Sequence, residues 1–255
     1  MMAGQGESEA GVDANRDGLP GEAGFDRIAA RYDRWYERPV NRFIDKLEER
    51  SLKSLLPPGK AGSLLLDAGV GTGHSVALAR SAGYRVVGLD ESGGMLKIAA
   101  SKPDLNSLLV MGDAHFLPFP DSYFDAVLSV TALEFLKEPR LAIDEMARCL
   151  KPGGSIVIGV LNALSYLGLQ RKILRKPTFR DAHFYRVGEL RRMLSHIGEV
   201  RVDTCAFMPP WEWLLPVGEG LERLGKTIVP GLGQFVVAAV RKPMVDAEEE
   251  AGETG

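Results

Sequence analysis

Leu64-Leu65-Leu66-Asp67-Ala68-Gly69-Val70-Gly71-Thr72-Gly73 decides how this chain is read. An apolar run ends in an acid, then three glycines alternate with other residues before His74–Ala82, a stretch of helical pattern. Glycine lets the backbone turn tightly and lets a ligand approach without a Cβ in the way. The start of the following helix would offer free N–H groups and a partial positive charge to an anionic group. A dinucleotide fingerprint reads GxGxxG, but this loop reads GxGxG with Asp67 two residues before the first glycine. That form suits a ligand with an amino-acid portion: a carboxylate at the helix start, an ammonium near Asp67 or neighbouring carbonyls.

Working outward, similar apolar runs recur at Ser63–Asp67, Arg85–Asp90, Leu108–Asp113, Phe124–Val130, Ser155–Leu161, Val200–Phe207 and Gln234–Arg241. Several are apolar throughout rather than alternating, as in strands covered on both faces. Helical patterns at His74–Ala82, Gly93–Ser101 and Arg140–Leu150 separate the first five. Strand and helix in alternation predict an α/β fold, a doubly wound, mostly parallel, Rossmann-like sheet. The last two runs lack a crossover unit. They are expected to pair antiparallel at a sheet edge, with 209–233 as an excursion. The stretch Phe25–Leu56 is mostly helical in pattern, with Pro39 marking a break or a new start and Pro57-Pro58-Gly59 ending it.

Two further strand ends carry polar groups. Asp90 lies 21 residues beyond Gly69, where an acid can accept both hydroxyls of a ribose; a strand-end cap is its plainer role. Asp113 and Ala114 follow the third run, where a carboxylate and a backbone N–H match the edge of an adenine; a cap on the next turn is the plainer role for Asp113. The fourth run ends at Thr131, and Glu134 just beyond either faces an acceptor or caps a helix. Pro152-Gly153-Gly154 reads as a turn feeding the fifth strand.

These segments together resemble the successive motifs of class I S-adenosylmethionine-dependent methyltransferases, most closely the type 11 group that includes ubiquinone/menaquinone-pathway enzymes. The resemblance rests on Asp67–Gly73, Leu89-Asp90-x-Ser92-x-x-Met95-Leu96, Gly112-Asp113-Ala114-x-x-Leu117-Pro118-Phe119, Phe124-Asp125-x-Val127 and Leu150-Lys151-Pro152-Gly153-Gly154. Upstream, Phe25-Asp26-x-Ile28-Ala29-x-x-Tyr32-Asp33-x-Trp35-Tyr36 is similar to that group's N-terminal lid helix. The resemblance implies a seven-stranded sheet with an antiparallel last strand and S-adenosylmethionine as methyl donor. It places Ala68, Gly69, Gly71 and Gly73 at the methionine end, Asp90 at the ribose and Met95 near the adenine. Asp113 with Ala114 reads the adenine edge, Thr131 lies near the sulfonium, and Tyr32 closes over the cofactor. The alternatives for Met95 and for the aromatic set Tyr32, Trp35 and Tyr36 are core packing and helix docking.

The implied function is methyl transfer to a small-molecule acceptor by in-line displacement. The alternative is a non-catalytic S-adenosylmethionine-binding or regulatory protein. An NAD-type oxidoreductase is disfavoured by the loop spacing and by the lack of a second nucleotide-binding half. No catalytic residue is assigned. His183 is a candidate base, with an ordinary surface position the simpler reading. The four histidines, His74, His115, His183 and His196, show no metal-ligand spacing, so no metal is expected.

The 255 residues carry a formal net charge of −3, unevenly spread. Residues 1–24 and 243–255 are acidic and poor in aromatics, and read as disordered tails. Without them, residues 25–242 hold 30 bases and 24 acids, a net +6. These residues are expected to form one methyltransferase domain, with 25–58 a helical lid and 162–233 acceptor-side insertions. Eight bases between Arg171 and Arg192, with Trp211, Trp213, Leu214 and Leu215 nearby, suit an anionic or lipophilic acceptor or weak peripheral membrane association. A solvated helix pair is the plainer reading. No nucleic-acid module and no membrane span are recognised, and with two cysteines a cytoplasmic protein is expected.

Overall fold

The computed structural model describes residues 25, 29–30, 32–103, 105, 108–174 and 182–244, with backbone alone for 171–174. The acidic segments 1–24 and 245–255 and most of the basic run 171–181 lie outside the described residues.

Seven strands form one sheet in the order β3-β2-β1-β4-β5-β7-β6. They are β1 (Leu64–Ala68), β2 (Arg85–Asp90), β3 (Leu108–Met111), β4 (Phe124–Val130), β5 (Leu150–Leu161), β6 (Val200–Cys205) and β7 (Phe235–Arg241). β3, β2, β1, β4 and β5 pair in parallel, while β7 lies antiparallel between β5 and β6. The edge pairing expected of the last two runs therefore holds, with β7 inserted inside β6.

Helices cover both faces. α1 (Pro39–Leu55) starts with Pro39 in its first turn, where a missing N–H costs nothing. It packs Val40, Ile44, Leu47 and Leu52 with α2 (Val76–Ser81) over one face. α4 (Pro139–Cys149) and α6 (Val187–Leu194) cover the other through Ile143, Met146, Leu190 and Leu194. α3 (Gly93–Ser101) follows β2, α5 (Tyr166–Leu174) follows β5, and α7 (Gly218–Ile228) sits between β6 and β7. Leu65 and Leu66 are fully buried and join opposite cores, as the pleat requires. Each such leucine contributes roughly 1.5–3 kcal/mol by leaving water.

Several boundaries differ from the sequence reading, β6 among them, which ends at Cys205 rather than Phe207; three of the differences have a visible cause. α2 begins at Val76 rather than His74, because Gly71 and Gly73 hold positive φ values (53° and 82°) and the loop closes on itself through Gly73 N–H to the Val70 carbonyl. β3 stops at Met111 because the Asp113 carboxylate accepts from the His115 N–H at 2.8 Å and turns the chain. β5 begins at Leu150 and runs through Pro152-Gly153-Gly154, which forms an irregularity within the strand rather than a turn ahead of it. A Cβ on Gly154 would meet the Asp125 carbonyl oxygen at 2.8 Å, so only glycine lets β5 run this close to β4.

Candidate functional site

The sheet order reverses direction between β1 and β4, the position where open α/β sheets bind ligands beyond the strand ends. A hollow of about 1030 Å³, open solvent included, lies there. Its wall includes Tyr32, Ala68, Gly69, Gly71, Asp90, Met95, Ala114 and Thr131, all singled out from the sequence. Asp67, Gly73 and Asp113 are not in that wall.

The β1 loop is held by β2. Gly69 and Val70 both donate to the Leu89 carbonyl, at 2.7 and 2.9 Å. The Asp90 carboxylate accepts from Gly71 N–H at 2.8 Å and from Ser92 N–H at 2.9 Å, while its carbonyl accepts from Gly112 N–H. Asp90 thus fixes the glycine loop, the start of α3 and the end of β3 at once. A Cβ on Gly71 would find no atom within 4 Å, so the loop leaves open space where it faces the hollow.

Asp67 stands behind the loop, fully buried, with one oxygen accepting from the Ser75 hydroxyl and Oδ1 without a partner. Burial pushes its pKa up to about 7 against the counter-effect of the Ser75 bond. Asp113 pairs with His115 Nδ1 at 2.6 Å. Its oxygen serves as a turn cap, the plainer of the two roles considered, and the hollow is reached instead by its neighbours Gly112 and Ala114.

Thr131 has φ 50°, a left-handed conformation unusual for a β-branched residue and of the kind that clusters at functional sites. Its N–H is held by the Gly159 carbonyl at 2.8 Å, and its side chain hydrogen-bonds Tyr32. Burial raises the Tyr32 hydroxyl pKa, opposed by that bond.

The N-terminal segment roofs the hollow with Phe25, Tyr32 and Tyr36. Phe25 meets Phe135 edge-on at 4.9 Å, and Tyr36 stacks on His74 at 3.8 Å. The Thr72 hydroxyl donates to Asp33 at 2.7 Å, tying the 3-10 turn Asp33–Glu37 to the glycine loop. Phe25, Tyr36 and His74 were noted in sequence, but not as walls of one space. Ser129 reaches the wall from β4, its hydroxyl donating to the Ala68 carbonyl at 2.8 Å, and Phe135 and Leu136 from the turn after β4; their residue types alone do not mark them as wall residues.

His183 and Glu134 stand outside the wall. His183 is exposed and bonded to Glu189 at 2.9 Å. Glu134 is 1% exposed; Oε1 accepts from Leu161 N–H at 2.7 Å and Oε2 has no partner. Burial pushes its pKa up to about 8. Asp45, Glu49 and His74 bring ligand-type atoms within 4.8 Å of one another. His74 is already committed to a hydrogen bond with Asp45 at 2.6 Å and to stacking on Tyr36, and these contacts account for the cluster. Among the described residues no helix is long and apolar enough to cross a membrane.

A hollow bounded by a glycine loop, an acid at the end of β2 and a backbone turn at the end of β3 thus lies at the carboxyl edge of a doubly wound sheet, at its switch point. Comparison with known proteins specifies the family. A methyltransferase-domain profile of type 11 matches residues 66–158. An uncharacterised protein of Methanocaldococcus jannaschii is 36% identical over 176 residues, which is 68% of this chain and 80% of that protein. A demethylmenaquinone methyltransferase of Renibacterium salmoninarum is 37% identical over 151 residues, and the match spans 57% of this chain and 61% of that enzyme. Among solved structures, an S-adenosylmethionine-dependent methyltransferase of Thermotoga maritima superposes with a TM-score of 0.68 and 29% identity, covering 86% of this chain and 97% of that one. The chain belongs to the type 11 group of class I S-adenosylmethionine-dependent methyltransferases. It is an enzyme whose methyl donor is S-adenosylmethionine.

Proposed function

We propose that the hollow beyond β1, β2 and β4 binds S-adenosylmethionine and that the methyl group passes in line to a small-molecule acceptor entering beneath the N-terminal roof. The observation that carries this is Asp90, at the end of β2, facing a hollow bounded by the glycine loop and by Gly112–Ala114. When bound, the donor supplies an electrophilic methyl carbon on a sulfonium.

The chain's own part is positioning and drying. The Asp90 carboxylate, oriented by the Gly71 and Ser92 N–H groups, is the acceptor for the ribose hydroxyls. Ala68, Gly69 and Gly71 bound the methionine end, with Gly73 setting the loop's turn from behind. Met95 and Leu89 pack the adenine, whose edge meets the backbone at Gly112–Ala114, with Asp113 holding that turn rather than touching the base. Asp67 Oδ1, buried and unpartnered, is an acceptor for a donor group at the loop. Thr131 and Tyr32 stand where the donor methyl and the acceptor meet. A nucleophilic acceptor needs alignment here and no obligatory base.

The working unit is residues 25–242, with 25–58 as roof and 162–233 supplying acceptor-side elements, and the terminal segments dispensable for transfer. The acceptor is a small molecule of lipophilic or anionic character; the menaquinone-precursor methyltransferase among the relatives supports the lipophilic class. Calorimetry with S-adenosylmethionine tests the site. Asp90→Ala should weaken binding by roughly 1–3 kcal/mol, as two hydroxyls lose a charged acceptor. Unchanged affinity would remove Asp90 from the site. Transfer of labelled methyl to a quinone-type or other small acceptor tests the reaction; saturable binding with no transfer to any acceptor would favour a non-catalytic binder.

A further inference from the structure

The excursion between β6 and β7 turns Leu214, Leu215 and Leu221 toward the core and leaves a second apolar side outward. A surface helix ordinarily turns its apolar stripe to the core. The inward side of α7 is made of Gly218, Glu222 and Gly225, with Leu221 partly buried beside them. A Cβ on Gly225 would lie 2.2 Å from the Phe207 ring and one on Gly218 2.7 Å from Phe43, so small residues are what let the helix pack so closely. The Glu222 carboxylate is used inward too, accepting from the Phe207 N–H at 3.1 Å. What remains outside is Val217, Leu224 and Ile228, the last 65% exposed. Trp213 is 72% exposed and stacks on Trp211, ring centroids 5.7 Å apart. Across the gap Tyr166 meets Trp211 edge-on at 5.8 Å, joining the start of α5 to the patch.

Contiguous exposed apolar surface of this kind is normally covered by something. Its charged surroundings say by what. Arg38, just ahead of α1, and Arg42, Lys46 and Arg50 on it recur every four residues. The two ends of that row are pinned to the excursion by Arg38–Glu212 at 3.5 Å and Arg50–Glu219 at 2.9 Å. Arg42 and Lys46 lie between them, exposed, and α7 adds exposed Arg223; none of the three has an ion-pair partner among the described residues. A second copy of this chain seated here about a two-fold axis would bring these cations to the same interface, at a repulsive cost. An anionic surface has the complementary charge, and tryptophan pairs favour the boundary between headgroups and acyl chains.

We propose that Trp211, Trp213, Val217, Leu224 and Ile228 form a peripheral docking face for an anionic lipid bilayer, with Arg42, Lys46 and Arg223 as its electrostatic contacts. β6 runs parallel to β5, since both oppose β7, so the excursion and α5 leave the sheet at the same edge as the donor hollow. Docking therefore turns that edge toward the lipid. The face does not depend on what the hollow binds.

The test is sedimentation of the full chain with vesicles of phosphatidylcholine alone or mixed with phosphatidylglycerol. The chain should partition onto the mixed vesicles about tenfold more strongly than onto the neutral ones, and salt should weaken it. Trp213→Glu and Leu224→Glu should each abolish sedimentation. Both positions are exposed, so melting temperature should stay near the parent value. If Trp213→Glu fails to fold, Arg42→Glu with Lys46→Glu tests the charged contacts alone and should lower partitioning about tenfold. No partitioning onto mixed vesicles overturns the proposal, as does equal partitioning onto both. A dimer in solution that Leu224→Glu converts to monomer, without vesicle binding by either form, assigns the face to a second copy and also overturns it.

Discussion

Gly69 and Gly71 are both left-handed, with φ of 84° and 53°, yet they answer to different constraints. A Cβ at Gly69 would come within 2.4 Å of the Ala132 Cβ, so this position is needed to bring the β1 loop against the loop after β4. At Gly71 the space is open, and a side chain would project where the ligand is proposed to lie. Gly69→Ala should therefore lower the melting temperature by several degrees, combining a left-handed penalty of about 1–2 kcal/mol with a steric shift. Gly71→Val should abolish S-adenosylmethionine binding while the chain still folds. Thermal melts paired with calorimetric titration separate the two. A Gly71→Val protein that titrates like the parent would place the ligand elsewhere.

At the scale of elements, the roof is a clamp as much as a cover. Asp33, in the 3-10 turn, accepts from the Thr72 hydroxyl at 2.7 Å and pairs with Lys102 at 2.7 Å, spanning the glycine loop and the end of α3. Asp33→Ala cuts both ties at a half-exposed position. We expect binding weakened about three- to tenfold, mainly through faster release, with little change in melting temperature. Unaltered release in stopped-flow would show the roof held by its aromatics alone. This clamp was not legible in sequence, though the elements it joins were. β1, β2 and β4 announced themselves because strands buried on both faces are apolar throughout. The glycine loop and Asp90 were legible because backbone geometry and ligand chemistry restrict residue type locally. Asp33–Thr72 links positions 39 residues apart, and nothing in either residue alone specifies the partner. α7 shows the same limit differently. Its amphipathic spacing can be read, but which side faces inward is decided by Phe207 and Phe43, which only glycine admits.

The molecule as a whole places buried carboxylates at the sheet's carboxyl edge, from different elements. Asp67 at the end of β1 and Glu134 after β4 are 0% and 1% exposed, each with an oxygen lacking a partner, and burial is the leading cause that lifts them to about 7 and about 8. Glu222 on α7 is lifted by burial in the same direction. A carboxyl whose folded pKa exceeds its unfolded value binds more protons in the native state than in the unfolded one. Its stabilising effect is complete below the unfolded value, near 4, and is lost as pH rises through 7 to 8. The carboxylates held low, Asp125 by the Leu64 N–H and Lys151 and Glu145 by Arg148, act oppositely, but their contribution is lost only in acid below the usual carboxylate range. Between those limits the buried acids govern the slope, so this protein should melt at a higher temperature at pH 5.5 than at pH 8. Glu134→Gln keeps an oxygen for the Leu161 N–H and removes one titrating group, so it should raise the melting temperature at pH 8 and flatten the decline. A parent protein whose melting temperature holds level or climbs from pH 5.5 to 8 would mean that water or a bound cation reaches these carboxylates and keeps them ionised in the native state.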